Sequence, residues 1–148
     1  MANGLYDKGR EKFLRGETSW NDGTIDAILV KIGTGVGEYD VNLATNEFLE
    51  DVPVAARVAL LSGNTVNAAA LGTKTTTAGV ADAADALFDE VTGDACGAIV
   101  LYERKVTDTE TTSPLIAYID TATGLPVTPT GVDIEVKWDD GANKIFKL

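Results

Sequence analysis

The clearest structural signal in the chain is the segment VDIEVKWD, residues 132–139, in which apolar and charged residues alternate. Because successive side chains of a β-strand point to opposite faces, this pattern predicts a strand with one buried face and one wet face. Asp140 and Gly141 follow with the residue types of a tight turn, and the chain then returns through Ile145 to Leu148. We therefore expect a C-terminal β-hairpin.

Five further segments carry strand patterns, and together they indicate a mainly β protein. They are residues 25–32, 57–61, 65–70, 98–102 and 115–119. The last two are continuously apolar, as expected of strands covered on both faces. Residues 80–91 fit either a helix or a strand that ends at Phe88, and we favour the strand. Seven or so short strands separated by turns predict an antiparallel β-sandwich or barrel with a short N-terminal helix.

The N-terminal arm, residues 1–22, carries the pattern of that helix. Leu5, Gly9 and Phe13 are spaced four residues apart, which gives the helix one apolar side. Gly16 is typical of the residue that ends a helix. A helix this short is marginal in isolation and needs a surface on which to pack. That surface is either the chain's own core or a neighbouring subunit.

Length and composition fit one domain and exclude several kinds of chemistry. The 148 residues, 45% of them apolar, contain no linker-like break, so residues 23–148 are interpreted as a single β-rich domain. The chain has no histidine and one cysteine, Cys96, which excludes a histidine general base, a Cys–His pair, a disulfide framework and a zinc finger. Cys96 has no basic neighbour in the sequence, so we interpret it as a buried structural thiol.

Charge is distributed unevenly along the chain. The net charge is −11, yet residues 1–16 carry four basic against two acidic residues, and residues 17–148 carry eight against twenty-one. A slightly basic arm therefore precedes an acidic body. An acidic chain repels phosphate polyanions and anionic lipid surfaces, and no apolar run approaches the roughly 20 residues that span a bilayer. We expect neither nucleic acid nor a membrane as a partner.

No motif marks a catalytic, cofactor or metal site. The glycines of residues 33–37 lack the spacing of a phosphate loop, and the acidic series in residues 82–94 lacks that of a calcium loop. Many carboxylates are available for acid–base chemistry, but nothing marks two of them as sharing a cleft. Trp138 lies on the apolar face of its strand, whereas Trp20 is either a core residue or part of a contact surface that could stack on a sugar. We therefore expect no enzyme, no cofactor and no metal ion.

Several segments resemble small structural proteins from the particles of tailed bacteriophages. They are LYDKGREKFL (residues 5–14), leading into Ser19-Trp20 and Ile28-Leu29-Val30, NLATNEFL (42–49), and LIAYIDTATGLP (115–126), continuing through Trp138 to NKIF (143–146). The resemblance spans nearly the whole chain. It implies a non-enzymatic virion protein, which we interpret as a capsid decoration, or cement, protein that binds the outer surface of the major capsid lattice and stabilises the head.

The resemblance also implies a location and partners. Such a protein is assembled in the host cytoplasm, lies on the outer capsid surface of the virion, and binds the major capsid protein as a homotrimer. The acidic charge favours the outer face, away from packaged DNA. The alternatives are a tail, neck or fibre-base component and a carbohydrate-binding surface module. Expected contact residues are Leu5, Tyr6, Phe13, Leu14 and Trp20 for apolar contacts, and Lys8, Arg10, Lys12 and Arg15 for electrostatic fit.

Overall fold

The computed structural model describes residues 3–61, 70–106 and 109–148, and these ranges form antiparallel sheets with a short N-terminal helix. The elements are β1 (Gly4–Leu5), α1 (Asp7–Leu14), β2 (Ile25–Val30), β3 (Arg57–Leu60), β4 (Val80–Ala81), β5 (Ala86–Phe88), β6 (Ala98–Glu103), α2 (Thr109–Thr112), β7 (Leu115–Ile119), β8 (Ile134–Val136) and β9 (Phe146–Lys147). The expected mainly β fold is confirmed; it is sandwich-like and not a closed barrel. The strand expected at residues 65–70 lies outside the described ranges except for Ala70.

A five-stranded sheet with the order β1-β7-β6-β2-β3 forms the centre of the molecule. Its strands β2, β6 and β7 are buried along their whole length, because side chains on both faces meet a core. Leu29 and Ile99 point into one apolar cluster, and their neighbours Ile28 and Val100 point into the other. The continuously apolar runs were expected to be covered on both faces, and they are.

The second layer of the sandwich consists of two short ladders, β4 with β9 and β5 with β8. The expected C-terminal hairpin is therefore wrong, because β8 and β9 pair with different strands. The backbone N–H of Trp138 donates to Asp85 Oδ1 (3.0 Å), and its indole N–H donates to the carbonyl of Ala84 (2.9 Å), which holds β8 beside β5. In residues 80–91 the favoured strand ends at Phe88 as expected, but a break at residues 82–85 divides it into two short strands.

The N-terminal arm packs on the chain's own core. In that arm β1 adds to the edge of the sheet beside β7, and α1 lies directly on β7, since a Cβ placed on Gly9 would be 2.5 Å from the carbonyl oxygen of Leu115. The helix ends as expected at Gly16, whose φ is +71°. The N–H groups of Gly16 and Glu17 donate to the carbonyls of Phe13 and Lys12, which is the Schellman arrangement.

Candidate functional site

A surface groove runs between the N-terminal arm and strand β9, and we call it the terminal groove. Its wider part encloses about 540 Å³ between β1, β7 and residues 143–147. Its narrower part encloses about 450 Å³. The two parts share Leu5, Arg10 and Lys147 in their walls, so they form one continuous surface. The narrower part is lined by Leu5, Arg10, Phe13, Leu14, Lys147 and Leu148.

An aromatic cluster holds the two walls of the groove together. The ring of Phe13 on α1 lies 6.1 Å from that of Phe146 on β9, and Phe146 meets Trp20 edge-on at 5.1 Å. Such tilted contacts suit aromatic rings and add to the free energy gained by their burial. The Schellman motif ends α1 directly after Leu14, whose side chain remains 90% exposed at the groove rim. Leu148 on the opposite wall is 61% exposed.

Strands β1 and β9, which help to line the groove, each pair with only one neighbouring strand. The N–H of Tyr6 donates to the carbonyl of Ile116 (3.0 Å), so Leu5 occupies a position whose own N–H and C=O point away from β7. The N–H of Leu148 donates to the carbonyl of Gly79 (3.0 Å), so the N–H and C=O of Lys147 likewise point away from β4. Both β1 and β9 are therefore edge strands of their sheets.

The groove is locally basic although the chain is acidic. The side chains of Arg10, Lys144 and Lys147 line it, against one carboxylate side chain, that of Asp139. Arg10 is 3.3 Å from a carboxylate of Asp7, and Lys144 is 3.7 Å from a carboxylate of Asp140; such exposed pairs stabilise little. Lys147 forms no ion pair with any described residue. A partner carrying negative charge would find cations here and repulsion over most of the remaining surface.

Four of the expected contact residues line this groove: Leu5, Arg10, Phe13 and Leu14. Leu5 is only 7% exposed and packs mainly in the chain's own core. The remaining five expected residues do not line the groove. Tyr6 and Trp20 are 0% and 4% exposed, so their side chains contact the chain's own interior and offer no surface to a partner. Lys8 pairs with Glu11 at 3.2 Å, and Arg15 pairs with the same residue at 3.7 Å.

Lys12, the fifth, fastens the arm to the body. Its ammonium group lies 3.3 Å from Glu17 and 3.1 Å from Glu47, and 4.8 Å above the ring of Phe48. These contacts leave its side chain only 12% exposed. A cation held by two carboxylates and a ring stabilises the arm against its own domain.

Tyr6 belongs to a buried hydroxyl network. Its Oη is 2.8 Å from that of Tyr39, and Tyr39 donates to Oδ1 of Asn46 at 3.0 Å. Burial raises the pKa of both phenols well above the ordinary tyrosine value. The network joins the arm to residues 39–46, so the arm is part of the folded core.

The C-terminal wall of the groove was missed from the sequence. Lys144, Lys147 and Leu148 carry no motif, and pairing β9 with β8 in a hairpin places them away from the arm. The apolar residues Ile145, Phe146 and Leu148 indicate a strand but not its partner, because partner choice depends on the packing of residues 80–88 against Trp138. Only the fold brings both ends of the chain together.

Other candidate sites from the sequence are occupied by the chain itself. In the loop at residues 33–37, Glu38 accepts a hydrogen bond from the N–H of Gly35 (2.9 Å), so a carboxylate stands where a phosphate would bind. Burial, followed by the nearby carboxylate of Asp94, raises the pKa of the Cys96 thiol to about 11, which keeps it protonated at neutral pH. Within the described ranges, no three acidic or thiol side chains converge as a metal site would require.

The aromatic rings proposed for sugar stacking are buried. Both tryptophans and all four tyrosines have at most 7% of their surface exposed. A sugar-binding platform needs a ring whose face is open to solvent. None of these six side chains supplies one.

Comparison with protein-family models gave no match, and neither did comparison with curated proteins. In the part of the chain that the structure describes, no helix has both the length and the apolar character needed to cross a bilayer.

Proposed function

We propose that this chain is a non-enzymatic structural protein of the bacteriophage virion, a capsid decoration protein that binds the outer surface of the major capsid lattice and stabilises the head. The observation that carries the proposal is the terminal groove, in which four of the expected contact residues, Leu5, Arg10, Phe13 and Leu14, lie beside Lys144 and Lys147. The resemblance of the sequence to small virion proteins supplies the kind of particle.

The charge distribution supports binding through the groove and on the outside of a shell. Most of the chain is acidic, which disfavours contact with packaged DNA, while the groove combines apolar surface with local positive charge. A homotrimer would present three such grooves to neighbouring capsid subunits. Even if each contact is modest, simultaneous binding raises the avidity, and binding only to the assembled lattice stabilises that lattice by mass action.

A tail, neck or fibre-base component is the alternative in the same structural class, and it could use the same groove. The carbohydrate-binding alternative loses its support, because no tryptophan or tyrosine ring is open to solvent.

Counting and locating the protein in purified phage particles tests the proposal. We expect on the order of hundreds of copies, in keeping with a repetitive lattice, and density on the outer capsid surface in electron cryomicroscopy. A dozen copies or fewer would assign the protein to the tail or neck. Complete absence from the particle would overturn the virion assignment.

A pair of variants tests whether the groove is the contact surface. Leu14→Asp places a carboxylate at the groove rim and should lower occupancy on empty shells at least about tenfold. Val36→Asp makes the same kind of change at a fully exposed site that does not line the groove, and should leave occupancy unchanged. Equal occupancy for both variants would show that the protein binds through another face.

A further inference from the structure

We propose that Asn3 is a site of spontaneous covalent modification, at which its side-chain amide closes onto the backbone nitrogen of Gly4 whenever β1 separates from β7. The isoaspartyl product lengthens the main chain beside β1 and prevents the strand from docking again in its present register. The inference concerns the chain itself and does not rest on the proposed function.

The sequence supplies the reactive pair. Asn3 is the one asparagine of the chain that is followed by glycine. Because glycine has no side chain, its backbone nitrogen reaches the side-chain carbonyl carbon of the preceding residue with little steric hindrance. The other six asparagines precede residues with side chains, among them Asn143, which is exposed and precedes Lys144. The most reactive asparagine therefore stands at the start of β1.

The reaction needs no reagent other than water. The backbone nitrogen of Gly4 gives up its proton to solvent and attacks Cγ of Asn3, so that an N–Cγ bond forms. The Cγ–Nδ2 bond breaks, and Nδ2 takes up a proton from solvent and leaves as ammonia. Water then adds to either carbonyl of the cyclic imide and opens it, which gives aspartate or isoaspartate. No atom is oxidised or reduced.

In the docked state the backbone of Gly4 is committed to β7. The register pairs Gly4 with Tyr118, and the N–H of Tyr6 donates to the carbonyl of Ile116 (3.0 Å). Hydrogen-bonded pairs recur at every second position of an antiparallel ladder, so the N–H of Gly4 faces the carbonyl of Tyr118. The imide nitrogen carries no hydrogen. Ring closure therefore breaks the ladder at Gly4.

The side chain of Asn3 is committed to the chain just after β7. Its Oδ1 accepts hydrogen bonds from the backbone N–H groups of Asp120 (2.9 Å) and Thr121 (3.0 Å). Its Nδ2, the leaving group, donates to the carbonyl of Thr121 (3.4 Å). Docking thus holds both reacting groups in hydrogen bonds that the reaction must break. We expect the reaction only in molecules whose β1 has opened locally.

The product changes the wall of the terminal groove. Isoaspartate carries the main chain through Cβ and Cγ of residue 3, which adds one carbon atom before Gly4. Residue 3 can then no longer hold residues 120–121 while Gly4 keeps its register with β7. Asn3, Gly4 and Leu5 line the wider part of the groove. The modification therefore alters this wall permanently and adds a negative charge to it.

Peptide mapping by mass spectrometry tests the site and its protection, with the full chain incubated at mildly alkaline pH with and without urea. We expect Asn3 to deamidate at least about tenfold more slowly in the native protein than in urea, and Asn143 to stay largely intact in both. In urea, Gly4→Ala should slow the reaction, because the added methyl group hinders the attacking nitrogen.

Two results of this mapping would overturn the inference. Equal rates in the native protein and in urea would show that docking gives no protection. A faster native rate would mean that the two N–H donors on Oδ1 of Asn3 activate its carbonyl group instead of restraining it.

A pair of helix variants tests whether docking of the arm controls the rate. Gly9→Ala places a methyl group 2.5 Å from the carbonyl oxygen of Leu115 and so weakens the packing of α1 on β7. It should raise the native rate of deamidation at least about threefold. Lys8→Ala on the same helix should leave the rate unchanged. Equal rates in the two variants would contradict control by docking.

Hydrogen exchange tests the consequence of the modification. In the isoaspartyl protein, isolated by chromatography, the amides of Asp120 and Thr121 should lose their protection. Asn3→Asp has the same charge but an unaltered main chain, so it should retain that protection. Continued protection in the isoaspartyl protein would show that β1 docks again and would overturn the inference. Because no phage particle is used, failure of these experiments leaves the proposed function standing.

Discussion

The buried hydroxyl of Tyr6 has one hydrogen-bond partner among the described residues, the hydroxyl of Tyr39 at 2.8 Å. Tyr39 donates its own proton to Asn46, so Tyr6 must be the donor to Tyr39. The two hydroxyls are consequently unequal. Loss of the Tyr39 hydroxyl leaves a buried donor without an acceptor, whereas loss of the Tyr6 hydroxyl leaves Tyr39 still bound to Asn46.

We expect Tyr39→Phe to lower the free energy of unfolding by about 1–3 kcal/mol, the usual cost of an unsatisfied buried polar group. Tyr6→Phe should cost less, and the double variant should cost less than the sum of the two single variants. Urea unfolding of the three variants and the parent measures these differences. Equal losses in the single variants, or strict additivity, would contradict donation from Tyr6 to Tyr39 and from Tyr39 to Asn46.

At the scale of elements, helix α1 is an exception to the usual effect of glycine on helix stability. Replacing a glycine inside a helix by alanine ordinarily stabilises by about 1 kcal/mol. Here the new methyl group would lie 2.5 Å from the carbonyl oxygen of Leu115 and 3.3 Å from the Cα of Ile116. Both atoms belong to the backbone of a buried central strand, which cannot move aside easily.

Gly9→Ala should therefore destabilise the protein, by about 1–3 kcal/mol as for other overpacked sites. Lys8→Ala on the same helix, where the side chain is 38% exposed, should change stability by less than about 0.5 kcal/mol. Thermal unfolding followed by circular dichroism measures both. An increase in the melting temperature of Gly9→Ala would mean that α1 stands away from β7.

The elements also separate what the sequence could predict from what it could not. The continuously apolar strands β6 and β7 and the helix end at Gly16 follow from local patterns, and all were anticipated. The pairing of β8 and β9 was not, because the turn residues Asp140 and Gly141 suggested a hairpin. Tertiary hydrogen bonds from Trp138 to residues 84–85 decide that pairing instead.

Local sequence patterns were also insufficient to predict the candidate site. An amphipathic arm was visible in the spacing of Leu5, Gly9 and Phe13, but the pattern does not distinguish side chains that anchor the arm from those that remain available. The structure buries Tyr6 and leaves Leu14 exposed, although the sequence treats both as apolar contact residues. It also adds Lys147 through a contact across the whole length of the chain.

At the scale of the whole molecule, the two faces of the central sheet differ in chemistry. All four tyrosines lie in the cluster on one face, and both tryptophans lie in the cluster on the other. Burial raises the pKa of each tyrosine, that of Tyr118 from 10.0 to about 12 and those of Tyr6, Tyr39 and Tyr102 further. The folded state therefore favours the neutral phenols, and one face of the sheet resists ionisation as a unit.

This arrangement predicts that alkali unfolds the protein cooperatively. A group whose pKa is higher in the folded than in the unfolded state stabilises the fold fully at pH values below its unfolded pKa. This contribution is lost as the pH rises towards its folded pKa. For Tyr118 that window runs from 10.0 to about 12, and for the Cys96 thiol it runs from 9.0 to about 11. The urea midpoint should accordingly fall as the pH is raised through these windows.

Absorbance near 295 nm, which reports tyrosinate, should stay flat until unfolding and then rise in one step together with the change in tryptophan fluorescence. Coincidence of the two signals follows because the phenols and the indoles occupy opposite faces of the same sheet and are exposed by the same event. In Cys96→Ala the loss of stability between pH 9.0 and about 11 should be smaller, while the coincidence of the signals remains. Gradual tyrosinate formation near pH 10.0 with unchanged fluorescence would mean that the tyrosine face is open to water, and the arm that covers it would then not be docked.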